Sequence, residues 1–130
     1  MAMSELIEVM RSKPDFYAET GVSAIQIEQA EKTLGIKFSL DFKECLREFG
    51  AVSVGGHELT GFSADKYLDV VEVTQKNRKR NNVGTNFYVI EEAHIDGIVI
   101  WQDADGAVYE TTPNSMPKKI ANSLIEYITK

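Results

Sequence analysis

The side chains best equipped for chemistry in this sequence are Cys45, His57 and His94. A thiol and an imidazole could form a nucleophile and its base, a pairing in which the histidine must depress the thiol pKa. His57 stands in GGHELTGF, residues 55–62, where three glycines and Glu58 invite comparison with a phosphate-cradling or catalytic loop. Such a loop needs other spacing. Neither GxGxxG nor GxxxxGK[ST] occurs, and no nucleophile or substrate group is nominated within reach of His57. Cys45 falls in the apolar series Phe42, Cys45, Leu46, Phe49, which predicts a buried and inert thiol. Cys45, His57 and His94 lie in unrelated segments without CxxC or HxxxH spacing, so no zinc site is expected. DADG, residues 103–106, resembles a calcium loop only until Gly106 is set at loop position six. Trp101 then takes position one and Thr112 position twelve, where carboxylates are required. No catalytic residue, metal or cofactor is expected, and an enzyme using His57, Glu58 or His94 is the weakest of the readings.

The elements that must carry these residues are legible from periodicity and caps. GGHELTGF reads as a strand with glycine ends, paired with AVSV, residues 51–54, across a Gly55-Gly56 hairpin. Ser4 can cap a short helix with Leu6, Ile7 and Met10 on one face, stopped at Pro14. Ser23 and Gln26 match a capping box, Val22 and Ile27 a hydrophobic staple, and Gly35 a left-handed C-terminus, with Ile36 folding back on Ala30. Ser39 caps a third helix that Gly50 is expected to end. Asp69 and Glu72 start a helix over Val70 to Arg80, closed by Asn81-Asn82-Val83-Gly84. NFYVIEE, GIVIWQ and AVYET form an antiparallel meander turned by Asp96-Gly97 and Asp105-Gly106, and a last helix is expected from Pro117 with Ile120, Leu124 and Ile128 on one face. Residues 1–130 make a single α+β domain, a two-layer arrangement of helices packed against a predominantly antiparallel sheet.

The 130 residues suffice for one hydrophobic core without a disulfide or metal. Fourteen Lys and Arg against twenty Asp and Glu give a net charge of −6, which repels phosphate backbones and attracts basic partners. MAMSELIEVMRSKPDF lacks the basic start and apolar core of a signal peptide, and no apolar run approaches a membrane span, so a cytoplasmic protein is expected. The dense positive run KNRKR, residues 76–80, suits the negative end of a helix dipole; its alternative is contact with an anionic partner. Acids placed on the third helix (Asp41, Glu44, Glu48) and around the meander (Glu91, Glu92, Asp96, Asp103, Asp105) are read as a solvent-facing surface able to steer a basic protein.

IQIEQAEKTLGIKFSLDFKECLREFG resembles the amino-terminal signature of the SUKH superfamily, I-x-x-A-E-x-x-L-G followed by a hydrophobic pair, the start of a second helix, and a leucine and aromatic before glycine. The likeness continues through GGHELTGF, DVVEVTQKNR, NFYVIEEAHIDGIVIWQDADGAVYE and IANSLIEYI. One departure is Phe38-Ser39-Leu40, where relatives commonly carry leucine-proline. The resemblance implies helices against an antiparallel sheet and no catalytic residues. It also implies a protein partner: for bacterial members a toxin, often a nuclease, blocked by an immunity protein, and for the yeast relatives the partners of a cell-wall assembly regulator. Direct nucleic-acid and membrane binding are not expected.

Overall fold

The computed structural model describes residues 5–81, 83–113 and 115–130. The expected cap Ser4 and Asn82 of the expected helix stop lie outside the described residues.

The chain runs α1 (Glu5–Ser12), β1 (Tyr17–Thr20), α2 (Ala24–Leu34), α3 (Leu40–Glu48), β2 (Phe49–Val54), β3 (His57–Leu59), α4 (Val70–Arg80), β4 (Tyr88–Glu92), β5 (Val99–Gln102), β6 (Val108–Thr111), β7 (Lys118–Ala121) and α5 (Leu124–Thr129). It is an α+β fold in which helices cover antiparallel strands. The strands form two sheets, β1-β2-β3 and β4-β5-β6-β7. A backbone hydrogen bond from Thr60 N to Ile90 O, 2.8 Å, links the segment after β3 to β4.

The helix ends follow their caps. Ser23 accepts from Gln26 N while Gln26 reaches back to Ser23 N, and Gly35 turns left-handed at φ 68°. Ile36 N then bonds Glu31 O at 3.0 Å, satisfying a carbonyl that the helix end leaves open. Asp69 caps α4 over the expected span. Leu6, Ile7 and Met10 of α1 are buried with Phe42, Cys45, Leu46 and Phe49 in the principal core. A smaller cluster of Val73, Val89, Val99 and Trp101 joins α4 to the four-stranded sheet.

Two expectations are corrected and one further strand is found. Gly50 does not stop α3: the helix ends at Glu48, and Gly50 lies within β2. A Cβ at Gly50 would come within 2.5 Å of Phe62 O, so glycine serves close strand packing rather than a helix end. The segment after Pro117 is β7, paired with β6 so that Lys118 faces Glu110, and the last helix begins only at Leu124, capped by Ser123. Tyr17–Thr20, which carries no alternation strong enough to read, pairs with β2 as an edge strand.

Candidate functional site

Gly55 and Gly56 have φ of 58° and 81°, as a two-residue hairpin between Val54 and His57 requires. Their amides do cradle an anion, and it is the chain's own Asp15: Gly55 N donates to Oδ1 and Gly56 N to Oδ2, both at 2.8 Å. These amides hold the Asp15 carboxyl below its usual range. Gly61 has another task. A Cβ there would lie 2.4 Å from Gly50 O, so the third glycine permits two backbones to touch. All three glycines of GGHELTGF are occupied in structure, two in the hairpin turn and one in close backbone packing.

His57 is equally committed. Its Nδ1 lies 2.9 Å from Glu91 Oε1, and the same carboxylate accepts from Tyr127 hydroxyl at 2.5 Å and from Glu58 N at 2.8 Å. The bond to Glu91 raises the His57 pKa, against burial, which lowers it. For Glu91 burial pushes upward, but the hydrogen bonds from His57, Tyr127 and Glu58 outweigh it and leave the pKa lowered. Burial and the bond to Glu91 push the Tyr127 hydroxyl up. His94 instead lines two shallow cavities with Arg80 and Glu92, and neither contains His57. Cys45 is buried, its thiol pushed up to about 12 by burial. Among the described residues no group of three or more His, Cys, Asp or Glu side chains could hold a metal ion. No helix among them is long and apolar enough to cross a membrane.

The eight carboxylates expected at the surface separate into different roles. Glu91 is not a surface group: it is 8% exposed and binds across β3, β4 and α5. Asp41 is half-buried and ties three elements, accepting from Ser39 Oγ, from Gln102 Nε2 at 3.1 Å and from Leu124 N at 2.9 Å. Asp103 accepts from Asp105 N, Ala107 N and Tyr109 hydroxyl, shaping the β5–β6 turn. Glu92 pairs with Lys76 and accepts from Asn77. Glu48 pairs with Arg11 at 2.6 Å across an exposed surface. Glu44 is half-buried, while Asp96 and Asp105 are exposed on turns. Within KNRKR, Arg78 is structural, donating to Leu34 O, Thr85 O and Phe87 O.

What these roles leave is an edge formed by α3 and the β5–β6 turn. The Asp41 and Gln102 side chains fix that turn against the helix, since Gln102 Nε2 also donates to Gly106 O at 3.0 Å. Leu40 projects there with 83% of its surface exposed. It borders a shallow cavity shared with Asp41, Ala104, Asp105 and Asn122. Helical spacing puts Leu40 at the middle of the outer face of α3, with Asp41, Glu44 and Glu48 on one flank and Lys43 and Arg47 on the other. Leu40 was absent from the sequence-derived surface, yet a signal existed: it shares a helical face with Lys43, Glu44 and Arg47, one apolar residue on a polar side.

The family model described as SUKH_5, SMI1-KNR4 cell-wall, matches residues 3–130. No curated protein matches the chain. The family is one of generally non-catalytic regulators and immunity proteins that act through protein interactions. With that match spanning nearly its whole length, the chain belongs to the SMI1-KNR4 (SUKH) family.

Proposed function

We propose that this protein is an immunity protein: a cytoplasmic, stoichiometric inhibitor that neutralises a cognate toxin by covering a basic surface of it, such as a nuclease active site. The observation that carries the reading is the α3 edge, where an exposed Leu40 stands beside Glu44 and Asp105 on a backbone pinned by Asp41. An apolar anchor with an acidic border on a rigid support is what binding to a basic protein needs, because the anchor supplies affinity and the border steers encounter. The net charge of −6 works in the same direction. Binding occurs without turnover. Co-expression with the toxin encoded beside it restores growth, and Leu40→Ala with Glu44→Lys removes the rescue. Failure of every neighbouring toxin domain to bind would sink the proposal.

The second reading is a regulatory scaffold, favoured by the cell-wall description of the matching family. Pull-down from the native cell separates the two: one basic toxin domain supports immunity, and several housekeeping proteins support the scaffold.

A further inference from the structure

The opposite flank of α3 borders a cavity of about 710 Å³ between α2 and α3, whose lining includes Ala24, Ile27 and Ile36. Lys32, Lys37, Lys43 and Arg47 also line it, with Glu28 and Glu31 as its only acids. Four cations against two carboxylates leave +2 here, on a chain whose total is −6. One of the two acids is already engaged. Glu31 is buried, accepts from Phe38 N at 2.8 Å and lies 3.6 Å from Lys43. Lys32, Lys37 and Arg47 form no ion pair with any described residue, whereas Arg11 and Lys76 elsewhere on the surface each hold a carboxylate.

The groove exists because the chain turns sharply between its first two long helices. Gly35 adopts φ 68°, and a Cβ built there meets nothing within 4 Å, so the bend is open on its outer side. Ile36 is only half-buried beneath it, and Ile25, near the groove-lining Ala24, is 68% exposed. An apolar floor between two helices accepts the apolar stripe of a third, and unpaired cations along its rim select for acids on the flanks of that stripe.

We propose that the α2–α3 groove is a docking site for an acidic amphipathic helix of a protein partner, separate from the acidic α3 edge. The inference does not rest on the immunity reading. α3 is then a two-sided element, presenting acids and Leu40 to one partner and Lys43 and Arg47 to another.

The test uses the full chain and two synthetic helical peptides of 15 residues with leucine at every third or fourth position, one carrying glutamate at the flanking positions and the other lysine. In heteronuclear NMR titrations the glutamate peptide shifts the amides of Ala24, Lys32, Gly35, Ile36 and Lys37, and its binding weakens as salt is raised. The lysine peptide does not bind. Lys37→Glu with Arg47→Glu, both at exposed positions, weakens the glutamate peptide by at least about tenfold while the melting temperature is kept. Leu40→Ala leaves peptide binding unchanged. Equal binding of both peptides, binding of neither, or binding that survives the double charge reversal overturns the proposal. So does a concentration-dependent dimer that the same double variant dissociates, which would assign the groove to a second copy of the chain.

Discussion

Glu91 Oε1 and His57 Nδ1 lie 2.9 Å apart, joining β4 to the start of β3 through a buried carboxylate and a half-buried imidazole. Because Tyr127 donates to the same oxygen, the pair also anchors α5. The His57 pKa is raised from 6.5, mainly by the bond to Glu91. Its stabilisation is therefore full below pH 6.5 and is lost as pH rises through the folded-state value. Glu91 is lowered from 4.5, so at the acid end the same pair loses its contribution as pH falls through the folded carboxyl value. Melting temperature measured against pH should decline above neutrality in the natural chain, and His57→Gln should flatten that decline. An unchanged slope in the variant would remove His57 as its source.

Removing the carboxylate tests its three partners together. Glu91→Ala leaves the Tyr127 hydroxyl, Glu58 N and His57 without their acceptor in a buried place. A loss of about 3 kcal/mol is expected in urea unfolding, the size usual when one member of a buried charged network is deleted. Glu91→Gln keeps the shape and one acceptor oxygen and should lose less. Equal losses in the two variants would show that packing, not hydrogen bonding, sets the effect.

Glu91 marks the boundary between local and long-range determinants of this fold. Caps are local chemistry, and Ser23 with Gln26, Gly35 and Asp69 mark helix ends within a few residues of themselves. The burial of Glu91 is not local. The β4–β5 register shifts between Val89 and Glu91, so Ile90 has no partner in that ladder, and its carbonyl accepts instead from Thr60 N. Tyr88 and Ile90 lie in the principal core and Val89 in the smaller cluster, so β4 is covered on both faces, and the bulge lets Glu91 follow Ile90 towards Tyr127. FYVIEE contains no sign of this, because the acceptor role is set by His57 and Tyr127, 34 and 36 residues away. Asp41, expected as a surface acid, ties elements together for the same reason, its partner Leu124 N being 83 residues distant. The strands Tyr17–Thr20 and Lys118–Ala121 were missed because four-residue edge strands are specified by the neighbour they pair with.

Glycine substitutions should separate conformational from steric need. Gly35→Ala meets open space but keeps an L-residue at φ 68°, costing about 1 kcal/mol. Gly61→Ala puts a methyl 2.4 Å from Gly50 O, where backbone must shift, and a cost on the order of 3 kcal/mol follows. Chemical denaturation of both variants checks the order. If Gly35→Ala were the more damaging, the close approach of Gly50 and Gly61 would not govern this part of the sheet.

Asp41 and Leu40 are neighbours with opposite expected phenotypes. Asp41→Ala strips the acceptor from Ser39 Oγ, Gln102 Nε2 and Leu124 N, so a stability loss of roughly 2 kcal/mol is expected whether or not a partner is present. Leu40 buries almost nothing in the isolated chain, so Leu40→Ala should stay within about 0.5 kcal/mol in unfolding experiments. Its effect should emerge only on association with the proposed toxin, as a loss of about 1–2 kcal/mol carried mainly by faster dissociation. Glu44→Lys and Asp105→Lys should act on the association rate, with a penalty that shrinks as salt rises, because border charges steer encounter more than they hold the complex. Stopped-flow measurement at two ionic strengths distinguishes these contributions. A toxin complex indifferent to Leu40, or a salt dependence untouched by the two charge reversals, would place the interface elsewhere on the molecule.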